Sequence, residues 1–158
     1  NKTMNAKLIL IFFLIISFTS SCSYQKMNSI DQKRFDIQEF EVTGGARESF
    51  VLQKKIQRFS NKNSKNKIKI LIDLTKDKAI KEKNIQNKVI KYNLSLSANL
   101  KIIDLNTNKE IKSNLTFNEI YNVDDSYSTT VNNSKEANNS LIDRMVNEIL
   151  DQLRIYYS

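Results

Sequence analysis

The sequence predicts an α+β fold, a four-stranded, mostly antiparallel sheet with two helices packed on one face, in the order β-α-β-β-β-α. Three observations support this prediction. The segment "YNLSLSANLKII" (92–103) alternates apolar and polar residues without a break, which is typical of a half-buried strand. The polar residues "NTNK" (106–109) between two strand patterns indicate a turn. The segment 135–157 carries a wide apolar stripe at helical spacing.

The first half of the predicted domain contains one strand and one helix. A strand is expected over "RFDIQEFEV" (34–42), where apolar residues alternate imperfectly with polar ones. Both glycines of the chain, Gly44 and Gly45, follow it and predict a turn of the backbone. The next segment, "ARESFVLQKKIQRF" (46–59), has its apolar residues at helical spacing, so we expect a helix that ends before "SNKNSKN" (60–66).

The second half begins with a strand over "KIKILIDLT" (67–75), which again alternates. The charged segment "KDKAIKEKNIQNK" (76–88) allows two interpretations, a charged connection or an extension of two long strands. Residues 88–105 and 110–122 then predict a β-hairpin around the short turn.

The end of the chain is expected to contain a polar loop followed by the second helix. The segment "NVDDSYSTTVNNS" (122–134) predicts the loop, and Lys135 is then the first residue of the helix. Two amphipathic helices can cover one face of the sheet, which leaves the other face uncovered. On the strand 92–103 that second face is polar but nearly uncharged, with Lys101 near its end. It carries Asn93, Ser95, Ser97 and Asn99. Two explanations of this composition are open. The face contacts another protein or a polar lumen, or its Asn and Ser residues reflect an AT-rich codon bias.

Composition excludes several kinds of chemistry. The chain of 158 residues has no histidine and one cysteine, so it can form neither a Ser-His-Asp triad nor a histidine metal site. With only two glycines it has no Gly-rich phosphate-binding loop. We therefore expect no enzymatic activity, no metal and no cofactor. The net charge is +8, but there is no compact Lys/Arg block or RNA-binding motif, so we expect no nucleic-acid partner.

The N-terminal segment has the pattern of a targeting signal. With Met4 as the expected start, the apolar run "LILIFFLIISF" (8–18) has the length of a secretory signal. It falls short of the about 20 residues that a membrane-spanning helix needs. The following "TSSC" (19–22) contains small residues and the cysteine of the chain.

This arrangement resembles a bacterial lipoprotein signal peptide with its lipobox, although Thr19 stands where that pattern usually has leucine. The resemblance implies that residues 1–21 are removed and that Cys22 becomes an acylated N-terminus. Residues 22–34 would then be a lipidated tether. Ser23, in place of an aspartate, implies sorting to the outer membrane. Acylation also removes the liability of a free thiol in an oxidising compartment.

Lysines cluster around the charged segment and suggest a site for phosphorylated lipid headgroups, to which several lysines can bind together. Lys135 is included because a cation at the start of a helix is disfavoured by the helix dipole, which favours a role in binding. Ordinary surface lysines are the alternative. The predicted anion-binding residues are Lys78, Lys81, Lys83, Lys88 and Lys135.

Three stretches together resemble the LptE family of LPS-assembly lipoproteins. They are "SCSYQK" (21–26), "KYNLSLSANLKIIDLNTNKEI" (91–111) and "SYSTTVNNSKEANNSLIDRMVNEILDQL" (126–153). The mature start is "CS" here, where the family usually has "CG". The resemblance implies a single LptE-like domain over residues 35–158.

That family resemblance implies a specific function. The protein would be anchored by lipid at the periplasmic face of the outer membrane of a Gram-negative cell. It would plug the LptD β-barrel, help it to assemble, and bind lipopolysaccharide during its insertion at the cell surface. Since the lumen of such a barrel is polar, the uncharged Ser/Asn face would contact the barrel. Two alternatives stand: an auxiliary lipoprotein of an ABC-type lipid transport system, and a purely structural outer-membrane lipoprotein.

Overall fold

The computed structural model describes residues 34–157, which form a four-stranded sheet and two helices. The elements are β1 (Asp36–Gly44), α1 (Ala46–Gln57), β2 (Lys67–Lys83), β3 (Val89–Asp104), β4 (Glu110–Asn122) and α2 (Tyr127–Tyr156). The predicted fold class and the order β-α-β-β-β-α are confirmed. The bounds of β1 and α1 lie within two residues of those predicted.

The strands lie side by side in the order β1-β2-β3-β4. β1 and β2 are parallel and are joined through α1, whereas the other two pairs are antiparallel. The turn from β1 into α1 requires Gly44. Its φ is +91°, and a Cβ there would lie 1.9 Å from the carbonyl oxygen of Leu74.

The hydrophobic core lies between the sheet and the two helices, which contact each other on the same face. Leu94, Leu96, Ala98, Leu100 and Ile102 of β3 are all buried there. They meet an apolar stripe on α2 that includes Leu141, Met145 and Ile149. The alternation in residues 92–103 thus predicted the covered face of β3 correctly.

The charged segment 76–88 extends the two central strands instead of connecting them. β2 continues to Lys83, and its ladder with β3 persists as far as the pair Lys83–Val89. Asn87 closes the turn with a φ of +63°. Beyond Leu74 every side chain of β2 is exposed, because neither helix of the described residues covers this end of β2. We call residues 76–91 the arm.

The predicted polar loop 122–134 is wrong in its second half, because α2 begins at Tyr127. Asn, Ser and Thr have low intrinsic helix propensity, so this segment lacks a strong helical signal of its own. Contacts with the sheet override that weakness, since the Asn133 amide donates to the Asn122 carbonyl at 3.1 Å. Lys135 therefore lies inside α2, not at its start, and the helix-dipole argument for Lys135 does not hold.

Candidate functional site

The arm is a basic, exposed hairpin that projects beyond the helices. It has six lysines against two acids, a net charge of +4. Two of its three isoleucines are exposed, Ile80 at 54% and Ile85 fully, in the turn. Positive charge next to exposed aliphatic side chains is suited to an amphiphile with anionic headgroups.

The base of the arm is tied to α1 by an ion pair between Lys76 and a buried carboxylate. Lys76 Nζ lies 2.7 Å from the carboxylate of Glu48, a residue of α1 that is only 7% exposed. Burial alone would raise the pKa of Glu48, but hydrogen bonds from Lys76 and the Asn138 amide outweigh it and lower that pKa. This pair fixes the point at which the covered sheet ends and the arm begins.

Lys78 is held by two aromatic rings. Its Nζ lies 3.8 Å from the ring centroid of Tyr92 and 5.6 Å from that of Tyr121. The two rings are themselves in contact, with centroids 5.6 Å apart. Such cation–π contacts hold the ammonium group at a defined place on the sheet. Lys78 is therefore part of the packing as well as part of the predicted site.

Lys88 and Lys91 form ion pairs near the outer end of the arm. Lys88 lies 2.6 Å from the Asp125 carboxylate, and the hydrogen bond that Lys88 donates to Asp125 raises the pKa of Lys88. Lys91 lies 2.6 Å from Glu82 across the β2–β3 ladder. These exposed pairs neutralise part of the positive charge of the arm.

Lys81 and Lys83 have no ion pair within residues 34–157, and both are exposed. Of the predicted anion-binding lysines, the structure brings Lys78, Lys81, Lys83 and Lys88 together on the arm. Lys135 is also exposed but lies on a different element, α2. The sequence did not indicate that Asp125, Tyr92 and Tyr121 are partners of these lysines, because they are distant from them in sequence.

The face of the sheet opposite the helices is polar and open. We call the following residues, which are adjacent in the strand register, the open face: Asp73, Thr75, Asp77, Asn93, Ser95, Ser97, Asn99, Asn114, Thr116 and Asn118. Both of its acids lie on β2, so β3 and β4 contribute no charge to it. In the centre, the hydroxyl oxygens of Ser97 and Thr116 are 3.1 Å apart.

The four predicted contact residues on β3 all lie on this open face. The β4 part of the open face was not predicted; it consists of Asn114, Thr116 and Asn118. The signal for it was present, because these residues alternate with Leu115 and Phe117, which pack towards the helices. On β3 and β4, charged side chains occur on this face only beyond the residues named, where Lys101 pairs with Glu110 at 2.7 Å.

The remaining predicted features are outside the arm and the open face. Cys22, the tether and the signal segment precede the described residues. Within residues 34–157, no cluster of three or more Asp, Glu, His or Cys side chains is close enough to hold a metal ion. In the same part of the chain, neither helix combines the length and apolarity required to cross a membrane.

No model of a known protein family matches this chain, and no curated protein matches it. Solved structures of other proteins do match it. Lipoprotein B from Nitrosomonas europaea superposes with a TM-score of 0.58 at 17% identity, covering 79% of this chain and 86% of that one. A lipoprotein structure from Caulobacter crescentus gives a TM-score of 0.53 at 10% identity, covering 81% and 91%. The chain therefore has the fold of these two proteins.

Proposed function

We propose that this protein is an outer-membrane lipoprotein of the LptE type, which plugs and helps to assemble an LptD barrel and aids lipopolysaccharide insertion. The open face is the observation that carries this proposal. A solvated sheet face of a protein with 27% charged residues would be expected to carry more charge. A face that packs against the polar wall of a barrel lumen needs hydrogen-bonding groups without unpaired charges. The β3 and β4 parts of the open face meet that need.

The position of the arm supports the same proposal. Asp36 at the start of β1 pairs with Lys67 at the start of β2, so the proposed tether enters at the end of the sheet opposite the arm. Along β2, the 17 residues from Lys67 to Lys83 span about 50–55 Å at about 3.3 Å per residue. A bilayer with its headgroups is about 40–45 Å thick. A domain tethered at one side would thus present the arm at the other.

The lysines of the arm are the proposed contact for the phosphate groups of lipopolysaccharide. Lys81 and Lys83 are the strongest candidates, because their charges are not balanced by an ion pair within the described residues. Lys78 and Lys88 contribute from positions fixed by Tyr92 and Asp125. The two similar solved structures are of lipoproteins, which agrees with the proposed lipidation at Cys22.

A pull-down from detergent-solubilised outer membrane, followed by mass spectrometry, tests the proposal. The full-length protein is expected to recover an LptD-type barrel in stoichiometric amount. The double substitution Ser95→Arg with Ser97→Arg introduces two charges on the open face and is expected to abolish this recovery. Asn139→Arg with Asn147→Arg, on exposed positions of α2, is the matched control. Recovery of ABC-type transport components, or of no barrel, would contradict the plug function.

The substitution Cys22→Ala tests the anchor separately. Loss of the acyl chains, each of which contributes about 0.8 kcal/mol per buried CH₂, is expected to release the protein from the membrane fraction. The folded domain should keep its circular dichroism spectrum and melting temperature. Unchanged fractionation with the membrane would contradict lipidation at this position.

A further inference from the structure

We propose that the outer edge of β4, beside α2, binds an extended segment of a partner protein that alternates basic and apolar residues. β4 is an edge strand, so one side of its backbone has no neighbouring strand within the described residues. α2 packs along it. A groove of about 310 Å³ lies between Glu119–Asn122 and the α2 residues Asn133, Glu136, Ala137 and Ser140. A strand edge next to a helix is an arrangement that adds a peptide as an extra strand.

The backbone groups of β4 alternate in direction, and the hydrogen bonds show which ones face the groove. The Val123 amide donates to the Ile90 carbonyl of β3 at 2.9 Å, so the odd-numbered residues bond to β3. The carbonyls of Asn118 and Asn122 instead accept hydrogen bonds from α2 side chains, both at 3.1 Å. The even-numbered residues therefore face the groove. Between these two, the N–H and C=O of Ile120 point outward.

Two side chains of α2 limit the ends of this opening. Arg144 donates to the Asn118 carbonyl at one end, and Asn133 donates to the Asn122 carbonyl at the other. Arg144 is itself held, since it lies 3.5 Å from the Glu119 carboxylate and 4.9 Å from the Phe117 ring centroid. Between these ends α2 presents small side chains, those of Ala137 and Ser140. The helix thus covers the edge at two points and leaves room for a strand between them.

The charges and side chains around the groove specify the occupant. Glu136 is exposed and has no ion pair within residues 34–157, so on the helix side it favours a basic residue. The side chain of Ile120 is 48% exposed and lies on the face of the sheet opposite the helices, where it favours an apolar residue in the bound segment. Because strand side chains alternate between faces, the bound segment should alternate basic and apolar residues. A second copy of this chain is disfavoured, because pairing two β4 edges would bring Glu119 and Glu136 of both copies together.

Binding of a designed peptide to the full-length protein in detergent tests this inference. The probe is a fluorescent heptapeptide that alternates lysine and valine, measured by anisotropy. We expect saturable binding, together with slower hydrogen exchange at the Ile120 amide. The same peptide N-methylated at its central residues keeps every charge but loses backbone donors, and should bind at least about tenfold more weakly. A glutamate–valine peptide should not bind.

Two substitutions locate the site, and one serves as control. Glu136→Lys should weaken binding about fivefold through loss of the charge contact. Ser140→Arg fills the groove and should weaken it at least about tenfold. Glu41→Lys makes the same substitution as Glu136→Lys at an exposed site on β1, the opposite edge of the sheet, and should leave binding unchanged. The inference is overturned if no lysine–valine binding is seen, or if Ile120 is not protected. It is also overturned if Ile120 becomes protected by dimerisation without peptide.

Discussion

The two halves of the β2–β3 ladder are built from the same two strands but have opposite properties. In the inner half, residues 67–75 and 97–104, α1 and α2 cover one face, and Ile68, Ile70 and Ile72 are buried. In the arm, residues 76–91, neither helix of the described residues covers β2, and lysines occupy four of its eight positions from Lys76 to Lys83. The ladder register continues across the boundary. Hydrogen-bonded pairing therefore determines how long the two strands are. The position of the helices determines which part of the strands is buried in the core.

The largest expected effect on stability is the difference between two variants that place the same charge in the inner half and in the arm. Ile70→Asp puts a carboxylate at a position that is 0% exposed, and it should unfold the domain because a buried charge lacks a partner there. Ile80→Asp makes the same change on the same strand, at 54% exposure, and should shift the free energy of unfolding by less than about 1 kcal/mol. Thermal denaturation followed by circular dichroism distinguishes the two. A cooperative transition in Ile70→Asp would show that the inner half is not core.

A smaller effect is expected at the boundary between the halves. Lys76→Met leaves the buried Glu48 carboxylate without its cation, and should cost about 1–3 kcal/mol at neutral pH. The pKa of Glu48 is lowered in the folded protein, so its stabilising contribution is present above the ordinary value of 4.5. That contribution is lost as pH falls through the lowered pKa. In Lys76→Met, burial should instead raise this pKa, so the stability deficit grows as pH rises from 4 to 7.

Urea unfolding at several pH values measures this deficit. Lys91→Met is the control, because its partner Glu82 is exposed and the pair should be worth less than about 1 kcal/mol. A deficit in Lys76→Met that does not depend on pH would mean that Glu48 is not the group left unpaired.

The smallest effect on stability, and a large one on binding, is expected at the two arm lysines that form no ion pair within residues 34–157. Lys81→Glu with Lys83→Glu should change the free energy of unfolding by less than about 0.5 kcal/mol. The double substitution should weaken binding of lipopolysaccharide in a way that depends on salt, since exposed charges are screened. Adding Lys135→Glu tests whether α2 takes part. Lys62→Glu with Lys65→Glu, at the other end of the molecule, is the control, and equal binding by both double variants would contradict the arm site.

The accuracy of the sequence prediction followed the strength of the local signal. β3 was predicted with its correct buried face, because Leu94 to Ile102 alternate without interruption. The first turns of α2 were missed, because Ser, Thr and Asn carry little helical preference and the contact from Asn133 to Asn122 joins residues of different elements. The placement of Lys135 failed for the same reason. The groove beside β4 was also beyond prediction, since it depends on where α2 crosses the edge strand.

The sequence by itself determined the order of the elements, the covered face of the central strands and the Ser/Asn-rich character of the opposite face of β3. Each of these depends on residue types at fixed spacing along one segment. Only the tertiary structure decided that residues 76–91 form an arm and that the Ile120 backbone faces a groove. It also decided that Lys78 and Lys88 have charged or aromatic partners within residues 34–157, while Lys81 and Lys83 have no ion pair there. These features depend on distances between segments remote in sequence, and those distances are set when the helices pack on part of the sheet and leave the rest uncovered.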